Sequence, residues 1–259
     1  MRKIVSRITH HEMTKLLPHT KLEIGSVSPA VLVCGDVARA EMIAAQLTDV
    51  KLLAEWREYR SYQGCFNGRI TTVTSHGIGA PGAAIAFEEL IAAGAKQIIR
   101  VGSCGSLQPD IHSGDLIIAT AAVQNTGYGR ETVPDGFPAV ADVDLTLALR
   151  NAAALHAHPY RTGIVLTRDN FYAGIKTYAV PDYKQLSAAN VLAVEMECAA
   201  LFIVGTLRNV QTGAILAVDG NVLEQGELMG QFNPHRDIVA RAFTAEIKIA
   251  LEAIATFPD

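Results

Sequence analysis

Short β-rich apolar runs alternate with alanine-rich stretches of helical period along this chain, and that alternation limits the fold more than any other feature. The pattern predicts strands over 30–34, 70–75, 97–101, 116–123, 161–166, 191–194 and 212–218. Between and after them it predicts helices over 39–47, 81–93, 145–155, 198–207 and 236–255. Strands interleaved with helices give a largely parallel sheet with helices on its faces, because each parallel crossover has to return over the sheet. Such sheets bind ligands at the C-terminal ends of their strands, where Gly35, Gly77, Arg100, Glu195 and Asp219 fall.

At 259 residues with no linker-like or low-complexity stretch, the chain reads as one domain over 18–259 behind an N-terminal extension, 1–17. The net charge of −4 argues against a broad basic face, hence against nucleic acid or a membrane as partner, and favours a small molecule. Cys34, Cys65, Cys104 and Cys198 lack metal-ligand spacing and suit a reducing cytoplasm. No apolar run reaches the ~20 residues of a membrane span, so a soluble protein is expected. A hydrophobic share of 49% is consistent with an oligomer.

Three stretches carry chemistry. Ile99-Arg100-Val101-Gly102-Ser103-Cys104-Gly105-Ser106-Leu107 is an apolar strand ending in small residues, where a guanidinium and backbone N–H groups can converge on an oxyanion. Val194-Glu195-Met196-Glu197 sets two carboxylates around a Met, which suits sugar hydroxyls; Glu197 then enters an apolar helix, where an unpaired carboxylate is costly, so it requires a partner. Leu216-Ala217-Val218-Asp219 ends a buried strand in an acid, either a proton donor or an ordinary turn residue. Gly35-Asp36-Val37-Ala38-Arg39 opens a helix and is either a phosphate cradle or a plain turn with a surface Arg. Phe171-Tyr172 reads as one core ring and one ligand-facing ring. A phosphate site, a sugar site and an acid together suggest chemistry on a nucleoside.

Joined by Arg57-Glu58-Tyr59, Ser75-His76-Gly77-Ile78-Gly79 and Phe137-Pro138-Ala139-Val140 in one order, these motifs resemble the nucleoside phosphorylase family of hexameric purine nucleoside phosphorylases and uridine phosphorylases. The resemblance runs from His19 to the C-terminal helix, and the 102–110 run and Val218-Asp219-Gly220 are most similar to the protozoan-type purine nucleoside phosphorylases. It implies a single-domain three-layer α/β/α fold around a mixed, partly barrel-like sheet. It implies that Gly35, Arg39, Arg100 and Ser103 bind phosphate, with Arg57 supplied by a neighbouring subunit. Glu195, Met196 and Glu197 would hold ribose, and His19 would cross to the neighbour's site at the 5′-hydroxyl. Cys104, Gly105, Phe171, Tyr172, Val194 and Asp219 would border the base, with Asp219 protonating N7. The reaction implied is phosphorolysis of inosine- or guanosine-type nucleosides to free base and ribose 1-phosphate, in nucleoside salvage. Inorganic phosphate is the co-substrate, no metal or organic cofactor is implied, and the assembly is a hexamer built as a trimer of dimers.

Departures from the family pattern shape the substrate reading. Uridine phosphorylases read uracil with a Gln and an Arg just past the aromatic pair; Ile175 and Thr177 stand there instead, which favours a purine and leaves uridine phosphorylase as the alternative. The Arg that follows the acid in bacterial purine enzymes is replaced by Phe232, with His235 and Arg236 nearby, while Pro234-His235 matches a pair in the protozoan-type enzymes. A nucleosidase, which uses water, has no use for three phosphate-facing arginines. A non-catalytic nucleoside-binding protein would not need Asp219 and Arg100 together. The absence of G-x-G-x-x-G spacing excludes a dinucleotide fold.

Overall fold

The computed structural model describes residues 16–172, 174–225, 233 and 235–258. Its elements run β1 (Ala30–Cys34), α1 (Val37–Ala44), β2 (Thr48–Trp56), β3 (Tyr59–Phe66), β4 (Arg69–Ser75), α2 (Ala80–Ala93), β5 (Gln97–Ser106) and β6 (Leu116–Asn125). They continue as α3 (Gly127–Thr132), β7 (Ala139–Val140), α4 (Val143–Ala154), β8 (Tyr160–Arg168), α5 (Tyr183–Ala188), β9 (Ala193–Glu195), α6 (Cys198–Arg208), β10 (Gln211–Asn221), α7 (Val222–Gln225) and α8 (Asp237–Thr256). Strands β5, β9, β8, β6 and β10 close on themselves, because β10 pairs with both β6 and β5. From β5 the sheet extends through β1, β4, β3 and β2.

Side-chain alternation builds the three layers. Along β1, Val31 and Val33 join one apolar cluster with Phe87 of α2 and Phe202 of α6, while Ala30, Leu32 and Cys34 join the other, with Ile43 of α1, Leu149 of α4 and Ile254 of α8. A strand of period two therefore feeds both helical layers, which is why its sequence is continuously apolar.

The sheet is mixed and partly barrel-like, as the family resemblance implies, where the βα alternation alone predicts a largely parallel one. β1 with β4, β1 with β5, and β5 with β10 run parallel, but β10 with β6, β5 with β9, and the β2–β3–β4 meander are antiparallel. The meander escapes the alternation argument because β2 is mostly exposed and never reads as a buried apolar run. A second correction concerns the small residues after Arg100. They continue β5 past the expected end at 101 to Ser106, their backbone paired to β10 and β9. Small side chains permit this, since a Cβ on Gly105 would collide with Val222.

Of the expected 1–17 extension, only Leu16 and Leu17 lie within the described residues; Leu16 bridges to Glu23, and Leu17 N–H donates to Leu22 at 2.8 Å. No helix among the described residues is long and apolar enough to cross a membrane.

Candidate active site

A cavity of about 470 Å³ opens where β1, β5, β8, β9 and β10 end or bend. One wall carries Gly35, Arg39, Arg100, Gly102 and Ser103; another carries Cys104, Gly105, Arg168, Tyr183, Val194 and Val222; Met196, Glu197 and Asp219 lie between them. Asp36 caps α1 by accepting the Arg39 N–H at 3.0 Å, which fixes the first turn of the helix that carries Arg39. The Arg39 guanidinium then lies 3.9 Å from the Phe243 ring of α8, held over an aromatic face.

Arg100 is 4% exposed. Its guanidinium folds back over Gly102, where any Cβ would strike it, and donates through Nη2 to Glu197 Oε2. Glu195 Oε2 stands 3.6 Å from the same nitrogen. Arg100 Nε and Nη1 are buried and have no hydrogen-bond partner among the described residues. Unsatisfied buried donors of this kind are costly, and an oxyanion in the cavity would satisfy them.

The carboxylate partner required for Glu197 is therefore inside the protein. Glu197 Oε1 accepts the Gly79 N–H at 2.6 Å, at the N-terminus of α2, and Oε2 takes Arg100. Burial alone would raise its pKa, but Arg100 and, next, His76 and the Gly79 N–H hold it below the ordinary carboxylate range. Glu195 has a different task. Its side chain has no exposed surface; Oε2 accepts the N–H groups of Glu197 and Cys198 at 2.8 Å each, and Oε1 accepts from Thr167 Oγ1. It caps α6 from below, and burial pushes its pKa up. His76, fully buried, donates from Nδ1 to the Gly77 carbonyl at 2.9 Å, and burial lowers its pKa to about 4, so it stays neutral.

Asp219 occupies a bulge. The register of β10 against β5 jumps between Val218 and Gly220, so the strand expected to stop at 218 runs on to Asn221 and leaves Asp219 out of the ladder. Bulges re-aim side chains in this way beside active sites. Burial raises the Asp219 pKa from 3.8 to about 7, while Arg39, the Ser103 hydroxyl and Arg236 pull the other way. Arg236 Nη2 donates to the Asp219 carbonyl at 2.7 Å and to Ser113 Oγ at 2.5 Å, so it holds the bulge through the backbone. His235 lines the cavity; Phe232 and Pro234 lie outside the described residues.

Three expected site residues stand away from this chain's cavity. Arg57 is exposed at the β2–β3 turn with φ 57°, and His19 is held at its own backbone and Nδ1 by Glu89, the ring contact being 2.8 Å. Tyr172 packs edge-on against Phe171 at 5.1 Å and is half exposed; Phe171 lines the cavity, so neither ring of this pair is core. Ile175 is 85% exposed, and neither it nor Thr177 lines the cavity. Arg168, Tyr183, Val222 and Phe243 were not among the expected site residues. Arg168 carried the same signal as Arg100, an Arg after an apolar strand, whereas the other three reach the cavity only through helix packing.

Residues 29–255 match the family model described as "Phosphorylase superfamily". The chain is 41% identical to the purine nucleoside phosphorylase of Plasmodium falciparum (isolate 3D7) over 94% of its own length and 97% of the relative's. It is 37% identical to the uridine phosphorylase of Treponema pallidum (strain Nichols) over 91% and 92%. The crystal structure of purine nucleoside phosphorylase from Toxoplasma gondii in complex with immucillin-H superposes with a TM-score of 0.85 at 36% identity, covering 92% of this chain and 94% of that one.

Proposed function

The chain belongs to the phosphorylase superfamily, and from that premise we propose that it cleaves purine nucleosides of the inosine or guanosine type with inorganic phosphate, yielding free base and ribose 1-phosphate. One observation carries the reading: a buried guanidinium with two unsatisfied nitrogens, Arg100, shares a cavity with an acid whose pKa lies near 7, Asp219. A guanidinium beside Arg39 and Ser103 suits a phosphate dianion; an acid that keeps its proton near neutrality suits protonation of a leaving base.

In this mechanism phosphate sits on Arg39, Ser103 and the free edge of Arg100, with Gly35 leaving room for it at the end of β1. A carboxylate offers about four lone-pair sites, so Glu197 can accept ribose hydroxyls while keeping Gly79 and Arg100, with Met196 against the sugar. Glu195, spent on capping α6, positions Glu197 rather than touching ribose. As the glycosidic bond lengthens, phosphate oxygen approaches C1′ and its charge stabilises the developing oxocarbenium ion; Asp219 gives its proton to N7. Cys104, Gly105, Val194 and Phe171 border the base. No step needs a metal or organic cofactor.

We place Arg57 and His19 in the site of a neighbouring subunit, which makes the working unit at least a dimer and, by family resemblance, a hexamer. Four unpaired thiols fit a reducing cytoplasm. Uridine phosphorolysis is the second reading, favoured by the identity to the Treponema enzyme and opposed by Ile175 and Thr177. The test is a product assay on inosine, guanosine, adenosine and uridine with and without phosphate. Ribose 1-phosphate formed from a purine nucleoside supports the proposal; free ribose at the same rate in phosphate-free buffer, or turnover of uridine alone, rejects it.

A further inference from the structure

Glu89, on α2, is a buried acid that the mechanism above does not use. Its Oε1 accepts the His19 backbone N–H at 3.0 Å and stands 2.8 Å from His19 Nδ1. Its Oε2 accepts the Thr20 N–H and the Thr20 hydroxyl at 2.7 Å each, and shares the His19 N–H at 3.2 Å. Burial alone would raise its pKa, but these donors, those of Thr20 first, hold it below the ordinary carboxylate range. Thr20 is fully buried, whereas the His19 ring is half exposed and lies outside this chain's cavity. Arg57 belongs to the same region. Tyr59, two residues beyond it, donates from its hydroxyl to the Gly82 carbonyl of α2 at 3.0 Å, and both Arg57 and Glu89 act electrostatically on that hydroxyl. The two residues assigned above to a neighbouring subunit's site are thus anchored on one part of the surface.

An ionised carboxylate has no proton to give, so the contact at Nδ1 requires the imidazole to donate there. A neutral imidazole protonated at Nδ1 carries its lone pair at Nε2, across the ring from Glu89. The segment that carries the ring is fixed as well, because the same carboxylate binds the backbone of both His19 and Thr20. A carboxylate that holds one ring nitrogen decides in this way what the other can do. An acceptor at Nε2 suits a ligand group that donates, such as a hydroxyl, and gains nothing from a methyl group or a thioether.

We propose that Glu89 is a positioning residue that fixes the His19 imidazole as its Nδ1–H tautomer, so that Nε2 accepts a hydrogen bond from the nucleoside 5′-hydroxyl in the neighbouring subunit's site and selects nucleosides that keep this hydroxyl. The proposal rests on the placement of His19 given above and extends it to a substrate class. It applies to a purine or a pyrimidine nucleoside alike.

The test compares kcat/KM for inosine and 5′-deoxyinosine, which lacks only the 5′-hydroxyl, at saturating phosphate in wild type, His19→Ala, Glu89→Gln and the double variant. Wild type should favour inosine. His19→Ala should lower that preference by about threefold to tenfold, the loss of one neutral hydrogen bond, with 5′-deoxyinosine turnover little changed. Glu89→Gln keeps the side-chain outline but has one acceptor oxygen. With that oxygen on the closer Thr20 N–H, its NH₂ faces His19, where it opposes the backbone N–H and forces Nδ1 to accept and Nε2 to donate. The preference for inosine should therefore fall as it does in His19→Ala, and the double variant should lose no more than His19→Ala alone. Equal loss on inosine and 5′-deoxyinosine in Glu89→Gln overturns the proposal and leaves Glu89 to folding alone. An unchanged preference in Glu89→Gln, where His19→Ala loses it, overturns the proposal and leaves the placement of His19 standing. An unchanged preference in His19→Ala overturns that placement, and this proposal with it. If Glu89→Gln does not fold, nitrogen NMR shifts of histidine-labelled wild type at pH 8 decide, with His19→Ala identifying the signal: an Nδ1–H tautomer supports the proposal and an Nε2–H tautomer overturns it. If uridine alone is turned over, the purine reading fails, and the same comparison on uridine and 5′-deoxyuridine decides this proposal.

Discussion

Asp219→Asn is the substitution that separates chemistry from shape most cleanly. Asn keeps the outline of the side chain at the β10 bulge but cannot release a proton. A positioned general acid commonly contributes ~10²–10⁴-fold, so inosine phosphorolysis should fall by that order. A nucleoside whose base already carries positive charge, such as 7-methylguanosine, leaves without the proton and should react at close to the wild-type rate. The same substitution has a thermodynamic signature. Burial lifts the carboxyl from 3.8 to about 7, so ionising it in the native state at pH 8 costs, at ~1.4 kcal/mol per pH unit, on the order of 4 kcal/mol relative to the unfolded chain. Between those two values the native state binds more protons than the unfolded state, so wild-type stability falls as pH rises through the window. Below the unfolded-state value both states are protonated and the penalty vanishes. Denaturant unfolding should therefore find Asp219→Asn more stable than wild type at pH 8, by up to about 4 kcal/mol, with the difference closing toward pH 4. Equal loss of inosine and 7-methylguanosine activity in a folded variant would show that Asp219 only positions the ligand. An unchanged stability difference from pH 4 to 8 would refute the burial argument itself.

Wild-type kcat/KM for inosine should decline as pH rises through about 7, where Asp219 loses its proton; a flat profile from pH 6 to 9 contradicts that assignment. Arg100→Ala should raise the KM for phosphate by about tenfold to a hundredfold. It should also destabilise the fold by ~3–5 kcal/mol, because Glu195 and Glu197 are left buried without their cation; a wild-type phosphate KM removes Arg100 from the anion site. At phosphate concentrations well below the variants' KM, where Arg57→Ala and Arg100→Ala are each impaired, mixing the two under subunit exchange should restore activity, since one site of a hybrid dimer keeps both arginines. Proven exchange without recovery places Arg57 outside the neighbour's site.

The amino-acid sequence by itself determined the βα alternation, because strands covered on both faces must be apolar at every position and helices between them must be alanine-rich to pack on the sheet. β1 appears over 30–34 as expected, and α2, α4, α6 and α8 lie within two residues of their expected bounds at each end. Through family resemblance it also named Arg39 and Arg100, which line one wall of the cavity; the local pattern alone left Arg39 as an ordinary surface Arg after a turn. Tertiary structure decided what local pattern does not encode. Whether Glu195 and Glu197 face a ligand or the protein depends on Gly79, Thr167 and Arg100, at least 28 residues away in sequence, and the fold turns one into a helix cap and the other into the partner of a guanidinium. The proton affinity of Asp219 follows from burial at a bulge, which arises only when β10 is threaded between β5 and β6. Arg168 and Tyr183 belong to the same class: their contact joins the end of β8 to the start of α5, which no period in the chain encodes.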